Sequence, residues 1–299
     1  MLSPNPIINF FLQILTLGGS FNWDAVGKYL FFSFIIQGAI LTVFISVVSQ
    51  AVGTLIGLLL YFMRRARFRL VRGFANGYIW IFRGTPVLVQ ILFLYTLLAY
   101  IHLSRPLKSL DWFTPLGFHN VFMDSVLAAI AALALNEGAY MAEIVRAGID
   151  SIDVGQMEAA KSLGMTYWLG MRRIVLPQAL RVIVPPLGNE FNNMLKTSSL
   201  ASIISLPELL DTAQAIASST YLVLEMLVVA SIWYLAMTTV WSFIQAWIEH
   251  KVGASTREPL GPDARSWWKR AFGIGQPVPA AVPAAPGTDV VTGVGSEHR

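Results

Sequence analysis

The chain reads as an all-α, polytopic membrane protein with about five transmembrane helices. Three observations predict this. Of its 299 residues, 55 % are hydrophobic and only 13 % charged, against a usual charged share of about 25 %, and the mean hydropathy is +0.60. Several apolar runs reach the roughly 20 residues that a bilayer crossing needs. Lysine and arginine gather in alternate loops, as expected of loops held on the cytoplasmic side. A disulfide scaffold is excluded by the absence of cysteine, and so are thiol catalysis and cysteine metal sites. The net charge of +4 orients the chain in a membrane and gives no reason to expect nucleic acid as a partner.

Residues 1–28 form an outer or interfacial segment. The apolar run Ile7–Leu17 is too short to span, and it lacks the basic start and cleavage site of a secretory signal. The first span lies within Tyr29–Met63, with its start along the interface; Gly53 and Gly57 form a GxxxG pair suited to close helix packing. The second span is read as one crossing, Phe74–Ile101, and the third as Asp124–Gly148. The fourth, Val182–Ile204, is polar: it holds Pro185, Pro186, Asn189, Glu190, Asn192, Asn193 and Lys196. A helix break is expected at Pro185-Pro186, freeing backbone carbonyls near the midplane. The fifth, Tyr221–Ile248, is apolar apart from Glu225, which is expected to reach water at the outer end.

Arg64, Arg65, Arg67, Arg69 and Arg72 follow span 1; Lys161, Arg172 and Arg173 follow span 3; Lys251, Arg257, Arg265, Lys269 and Arg270 follow span 5. The opposite loops carry few cations, Lys28, Arg105 and Lys108 among them. The N-terminus is therefore expected outside and the C-terminus in the cytoplasm. Residues 29–250 are the transmembrane domain. Residues 251–299 are a cytoplasmic tail whose end, rich in Pro, Ala and Gly, has too little apolar bulk to fold alone.

Between spans 3 and 4, residues 150–181 carry signals of their own. Asp153 can cap a helix with Gln156 bonding back, Val154, Met157 and Leu163 have helical spacing, and Gly164 can end it in the left-handed conformation. Thr166 can cap a second short helix before Pro177. Such a knob either docks another protein or packs against its own.

The residues here also carry a resemblance. Glu158-Ala159-Ala160, three residues, Gly164, nine residues, then Ile174-x-Leu176-Pro177 is similar to the EAA motif of ABC importer permeases at every fixed position. Phe82-Arg83-Gly84-Thr85-Pro86 and Ala139-Tyr140-x-Ala142-Glu143-Ile144-x-Arg146 with Gly155-Gln156 resemble the polar amino-acid branch. Asp153, Ala147 and Thr197 depart from that branch and leave the EAA core untouched. The resemblance covers residues 30–248.

It implies a permease subunit in a bacterial plasma (inner) membrane that carries an amino acid, polar or charged, and takes its energy from a separate ABC ATPase dimer. No cofactor is expected on this chain, ATP–Mg belonging to the partner; accordingly no GxxxxGK[ST] occurs, and Gly27-Lys28 is followed by Tyr29. It also implies a coupling helix, Val154–Leu163, seated on the ATPase. Glu158 would be its polar anchor, Ala159 and Ala160 would allow close approach, and Gly164 would set the turn. A second permease copy or homologue would complete the path, and a periplasmic or extracellular solute-binding protein would dock on the loops His102–Asn120 and Ser205–Thr220.

Ionisable residues within spans are costly, and either line a solute path or pair with one another to hold the bundle. The candidates are Arg83, Glu137, Glu190 and Lys196, with Arg83 for a carboxylate and Glu137 or Glu190 for an ammonium. Glu143 and Arg146, three apart, are read as a structural pair. Enzyme chemistry lacks support: there is no HExxH or GxSxG, and His102, His119, His250 and His298 are too scattered for a metal site. An ion-coupled secondary transporter is the alternative, with a non-transporting scaffold third. The lack of internal repeats weighs against the former.

Overall fold

The computed structural model describes residues 21–101 and 123–253. The expectations for the first twenty residues, for the loop with His102, Arg105, Lys108 and His119, and for the tail beyond Gly253 lie outside the described residues.

The described residues are helical. Helix α1, Trp23–Leu30, is capped by the Asn22 side chain, which accepts from Ala25 N at 2.9 Å. After a turn at Phe31, α2 runs Ser33–Arg64, 32 residues, roughly 48 Å at 1.5 Å per residue. Helices α3, Arg69–Gly84, and α4, Val87–Ile101, follow. Helix α5, Met123–Asp150, is central: alanines at 128, 129, 132 and 134 are buried, and α2, α3, α4 and α8 pack around it. Then come α6, Val154–Ser162; α7, Tyr167–Gly170; a single wide turn, Met171–Val175; and α8, Leu176–Thr197. A tighter turn, Ser198–Ile204, leads to α9, Leu209–Thr220, and α10, Val223–Val252.

The GxxxG pair packs α2 on α5. A Cβ at Gly57 would stand 2.8 Å from the backbone N of Ala142, and one at Gly53 would stand 2.7 Å from Glu137 Cβ. Only glycine lets the two backbones approach so closely. Helices α2, α5 and α10 are long and apolar enough to cross a membrane, and the pair α3–α4 makes a fourth candidate. The protein is thus an all-helical membrane protein with three or four candidate spans.

Four expectations change. The run Phe74–Ile101 is two helices meeting at 109°, not one continuous helix. Pro86 has no N–H to continue the helix and forces Thr85 into extended backbone (φ −115°, ψ 144°). Conversely, α8 runs unbroken through Pro185 and Pro186. There α10 supports the helix: Trp241 Nε1 donates to Gly188 O at 2.8 Å and Gln245 Nε2 to Pro185 O at 3.4 Å. Residues 205–220 are mostly helix rather than an outer loop. Leu209, Ala213, Ile216 and Ala217 of α9 are buried in a cluster with residues of α1, α2 and α10, so the helical apolar spacing wins over the polar residues between. Finally, Glu225 does not reach water. It is buried and accepts from Asn22 N at 2.9 Å, tying the start of α10 to α1.

Candidate functional site

Two cavities line the bundle between α3, α4, α5 and α8. The first, about 310 Å³, is bounded by Asn136, Glu137 and Tyr140 of α5 and by Glu190, Asn193 and Lys196 of α8. That volume lies at the lower end of small-molecule sites. Positions 136, 137 and 140 fall on one face of α5 because three or four residues make a helical turn, and 190, 193 and 197 do the same on α8. Glu137 is buried and accepts from Gln50 Nε2 of α2 at 3.0 Å. Glu190 is half-buried and Lys196 exposed.

The second cavity, about 620 Å³, is bounded by Arg64, Asn76, Trp80, Arg83, Tyr140 and Glu143. Tyr140 belongs to both. Three of the four path candidates, Glu137, Glu190 and Lys196, therefore meet on one wall, and Arg83 does not join them. It lines the second cavity, its guanidinium over the Tyr140 ring at 5.4 Å, a cation–π distance. Arg83 and the two carboxylates, expected across one site, line two cavities that share Tyr140. The reason is the corner at Thr85-Pro86, which turns α3 away from the α4–α5 cavity.

Arg64 and Glu143 on the wall of the second cavity belong to a charge cluster. Glu143 accepts from Arg64 at 2.6 Å and from Arg146 at 2.8 Å, and Asp150 accepts from Arg65 at 2.9 Å and Arg146 at 3.3 Å. Glu143–Arg146 is the structural pair expected, widened into a network that ties the end of α2 to the end of α5.

The hairpin α6–α7 follows directly. Asp153 caps α6 by accepting from Gly155 N at 2.6 Å, and Thr166 caps α7 by accepting from Leu169 N at 3.4 Å. Gly164 takes φ +77°, and Met165 N donates to Ala160 O at 3.1 Å, closing the helix end as a left-handed residue allows. Gln156 accepts from Gln178 at 3.4 Å instead of returning to the cap. Glu158 and Ala159 face outward. Ala160 does not: it is buried, and a Cβ at Gly170 would stand 3.3 Å from it. Of the two alanines expected to face a partner, one instead packs the hairpin together.

The sequence reading missed the buried amides Gln50, Gln90 and Asn136, which break no apolar pattern and carry no charge. It also missed Glu208, fully buried, which accepts from Asp211 N and from Tyr234 OH, each at 2.8 Å. The available signal was its place after Pro207, opening the apolar spacing of α9.

Comparison with known proteins agrees with this architecture. The family model described as the binding-protein-dependent transport system inner membrane component matches residues 53–254. The arginine transport system permease protein ArgU of Corynebacterium glutamicum is 40 % identical over 242 residues, 80 % of this chain and 74 % of that one. The glutamine transport system permease protein GlnP of Escherichia coli (strain K12) is 34 % identical over 232 residues, 78 % and 98 % of the two chains. Among solved structures, the crystal structure of an amino acid ABC transporter with histidines superposes with a TM-score of 0.66 at 34 % identity. It covers 78 % of this chain and 99 % of that one. With two thirds of its length inside the family model, the chain belongs to the binding-protein-dependent transport system inner membrane components and is the permease subunit of an amino-acid ABC importer whose ATPase is a separate chain.

Proposed function

We propose that this permease carries an amino acid with a cationic side chain through the first cavity. The observation behind this reading is the charge on that cavity's wall: two carboxylates, Glu137 and Glu190, and one ammonium, Lys196. Arginine presents the complement, one carboxylate and two cationic groups. Lys196 takes the carboxylate, and Glu137 and Glu190 take the ammonium and the side chain. A neutral amino acid such as glutamine would leave one wall carboxylate without a partner. The 40 % identity to a permease named for arginine supports the same class. Arg83 in the second cavity receives the carboxylate as the solute passes Tyr140.

The chain crosses five times in this reading, α8 serving as the polar fourth span because its amides face the solute path and not lipid. The N-terminus is outside and the C-terminus cytoplasmic. Residues 1–28 form the outer segment, 29–250 the transmembrane domain and 251–299 the tail. The hairpin is the coupling element. Glu158 and Ala159, with the exposed apolar side chains Val154, Leu163 and Trp168, meet the ATPase dimer, while Ala160 and Gly164 set the hairpin's shape. A second permease and a solute-binding protein complete the importer.

The test is uptake of labelled arginine and glutamine by the reconstituted importer. Glu190→Gln removes one charge-assisted contact worth about 1.5–3 kcal/mol. It should cut the preference for arginine over glutamine by roughly ten- to a hundredfold. An unchanged preference overturns the assignment.

A further inference from the structure

We infer that Asn136 and Gln90 are positioning residues that clamp the corner between α3 and α4, holding the walls of both cavities in register. The inference rests on reading the two cavities as the solute path. Its starting point is a missing donor. In a continuous helix the N–H of residue 86 would bond the carbonyl of Phe82, but residue 86 is proline and has none. The chain leaves helical geometry at Thr85, so Phe82 O is one of the unpaired carbonyls of a helix end.

Two side-chain amides replace the missing donor. Asn136 Nδ2 donates to Phe82 O at 2.8 Å and Gln90 Nε2 donates to it at 3.0 Å. Gln90 Nε2 also reaches Thr85 O at 3.1 Å and Thr85 Oγ1 at 2.7 Å. Asn136 Nδ2 in turn donates to Gln90 Oε1 at 3.1 Å, so the two amides lock each other. Both residues are buried, at 7 % and 8 % exposure, where water does not substitute for a lost partner.

The clamp sits where the two cavities meet. Asn136 precedes Glu137 on the first cavity's wall, and Phe82 precedes Arg83 on the second's. Val87, the first residue of α4, lines the first cavity. The angle at the corner therefore sets where Arg83 and Val87 stand relative to Glu137. Asn136 also borders the first cavity itself, so a direct contact with the solute is the competing role. Gln90 does not border either cavity, and this separates the two roles.

The experiment uses the whole importer in lipid nanodiscs and vesicles, with Asn136→Leu and Gln90→Met. The chain has no cysteine, so Phe74→Cys on α3 and Phe93→Cys on α4, exposed at 63 % and 66 %, are its two spin-label sites once the partner subunits are freed of cysteine. The label distance reports the corner. Both variants are expected to broaden the distance distribution and to lower maximal uptake about tenfold with KM unchanged, the mark of lost positioning rather than lost binding. A raised KM in Asn136→Leu beside a normal Gln90→Met overturns the inference in favour of solute contact. Unaltered distances in both also overturn it. If neither variant accumulates in the membrane, the pair is a folding requirement and the positioning role falls. Broadened distances with unchanged uptake would keep the clamp and sink the placement of the solute path.

Discussion

The two proline sites of this permease behave in opposite ways. At Thr85-Pro86 the chain turns through 109°; at Pro185-Pro186 the helix continues to Thr197. Both sites lose backbone donors, so the difference lies in their surroundings. At Pro86, side chains from α4 and α5 take over the stranded Phe82 carbonyl and so stabilise the bent form. At Pro185, α10 lies along α8 and holds it at the pair and in the turn beyond. Trp241 reaches the Gly188 carbonyl beyond the prolines, its ring 4.2 Å from that of Phe191, and Gln245 reaches Pro185 O itself. A proline removes a donor wherever it stands; whether the helix bends depends on which geometry the neighbours can satisfy.

The largest effect on this contrast is expected from Pro86→Ala. Alanine favours a continuous helix over proline by about 3 kcal/mol, a shift of roughly a hundredfold toward the straight form. The α3–α4 label distance should lengthen and uptake should collapse. A corner that stays bent with uptake intact would mean that packing alone holds it. Next comes Gly188→Leu. A Cβ there would stand 2.6 Å from Gln245 Cδ, so the larger side chain forces α8 and α10 apart, at about 1–3 kcal/mol. Thermal unfolding in detergent should move down by about 2–4 °C for each kcal/mol. No change would show that α10 does not support the proline pair. The smallest effect is expected from Pro185→Ala, where the helix already exists. Stability should not fall, and uptake should stay within about twofold. A large loss of uptake there would make the pair a moving part of the transporter and not a tolerated irregularity.

Much of the fold could be read in advance, and the reasons are local. The apolar runs of α2, α5 and α10 are legible because a bilayer crossing must satisfy its own backbone and present carbon to lipid. The hairpin α6–α7 was legible to within a residue or two because caps and a left-handed glycine act over four or five residues. Glu137, Glu190 and Lys196 stood out because charge inside an apolar run is costly. Their meeting on one cavity was not legible, since it depends on how α5 faces α8. That Arg83 lines the second cavity was not legible for the same kind of reason: its place relative to Glu137 is set by a corner whose stabilising amides lie 8 and 54 residues away from Phe82.

The sequence by itself determined the class of the protein, the helical hairpin, a glycine pair on α2 suited to close packing and the set of charges set among apolar residues. Composition, spacing and caps are properties of neighbouring residues, and their energies do not wait for the rest of the chain. Tertiary structure alone decided which proline bends its helix, that Glu208 and Glu225 are buried, that Ala160 turns inward while Ala159 faces out, and which charges share a cavity. Each of these depends on a partner outside the element itself: Tyr234 for Glu208, Asn22 for Glu225 and Asn136 for Phe82 from far along the chain, and Gly170 for Ala160 from the next helix. A buried polar group is stable only where such a partner arrives, and its arrival is a property of the packed bundle.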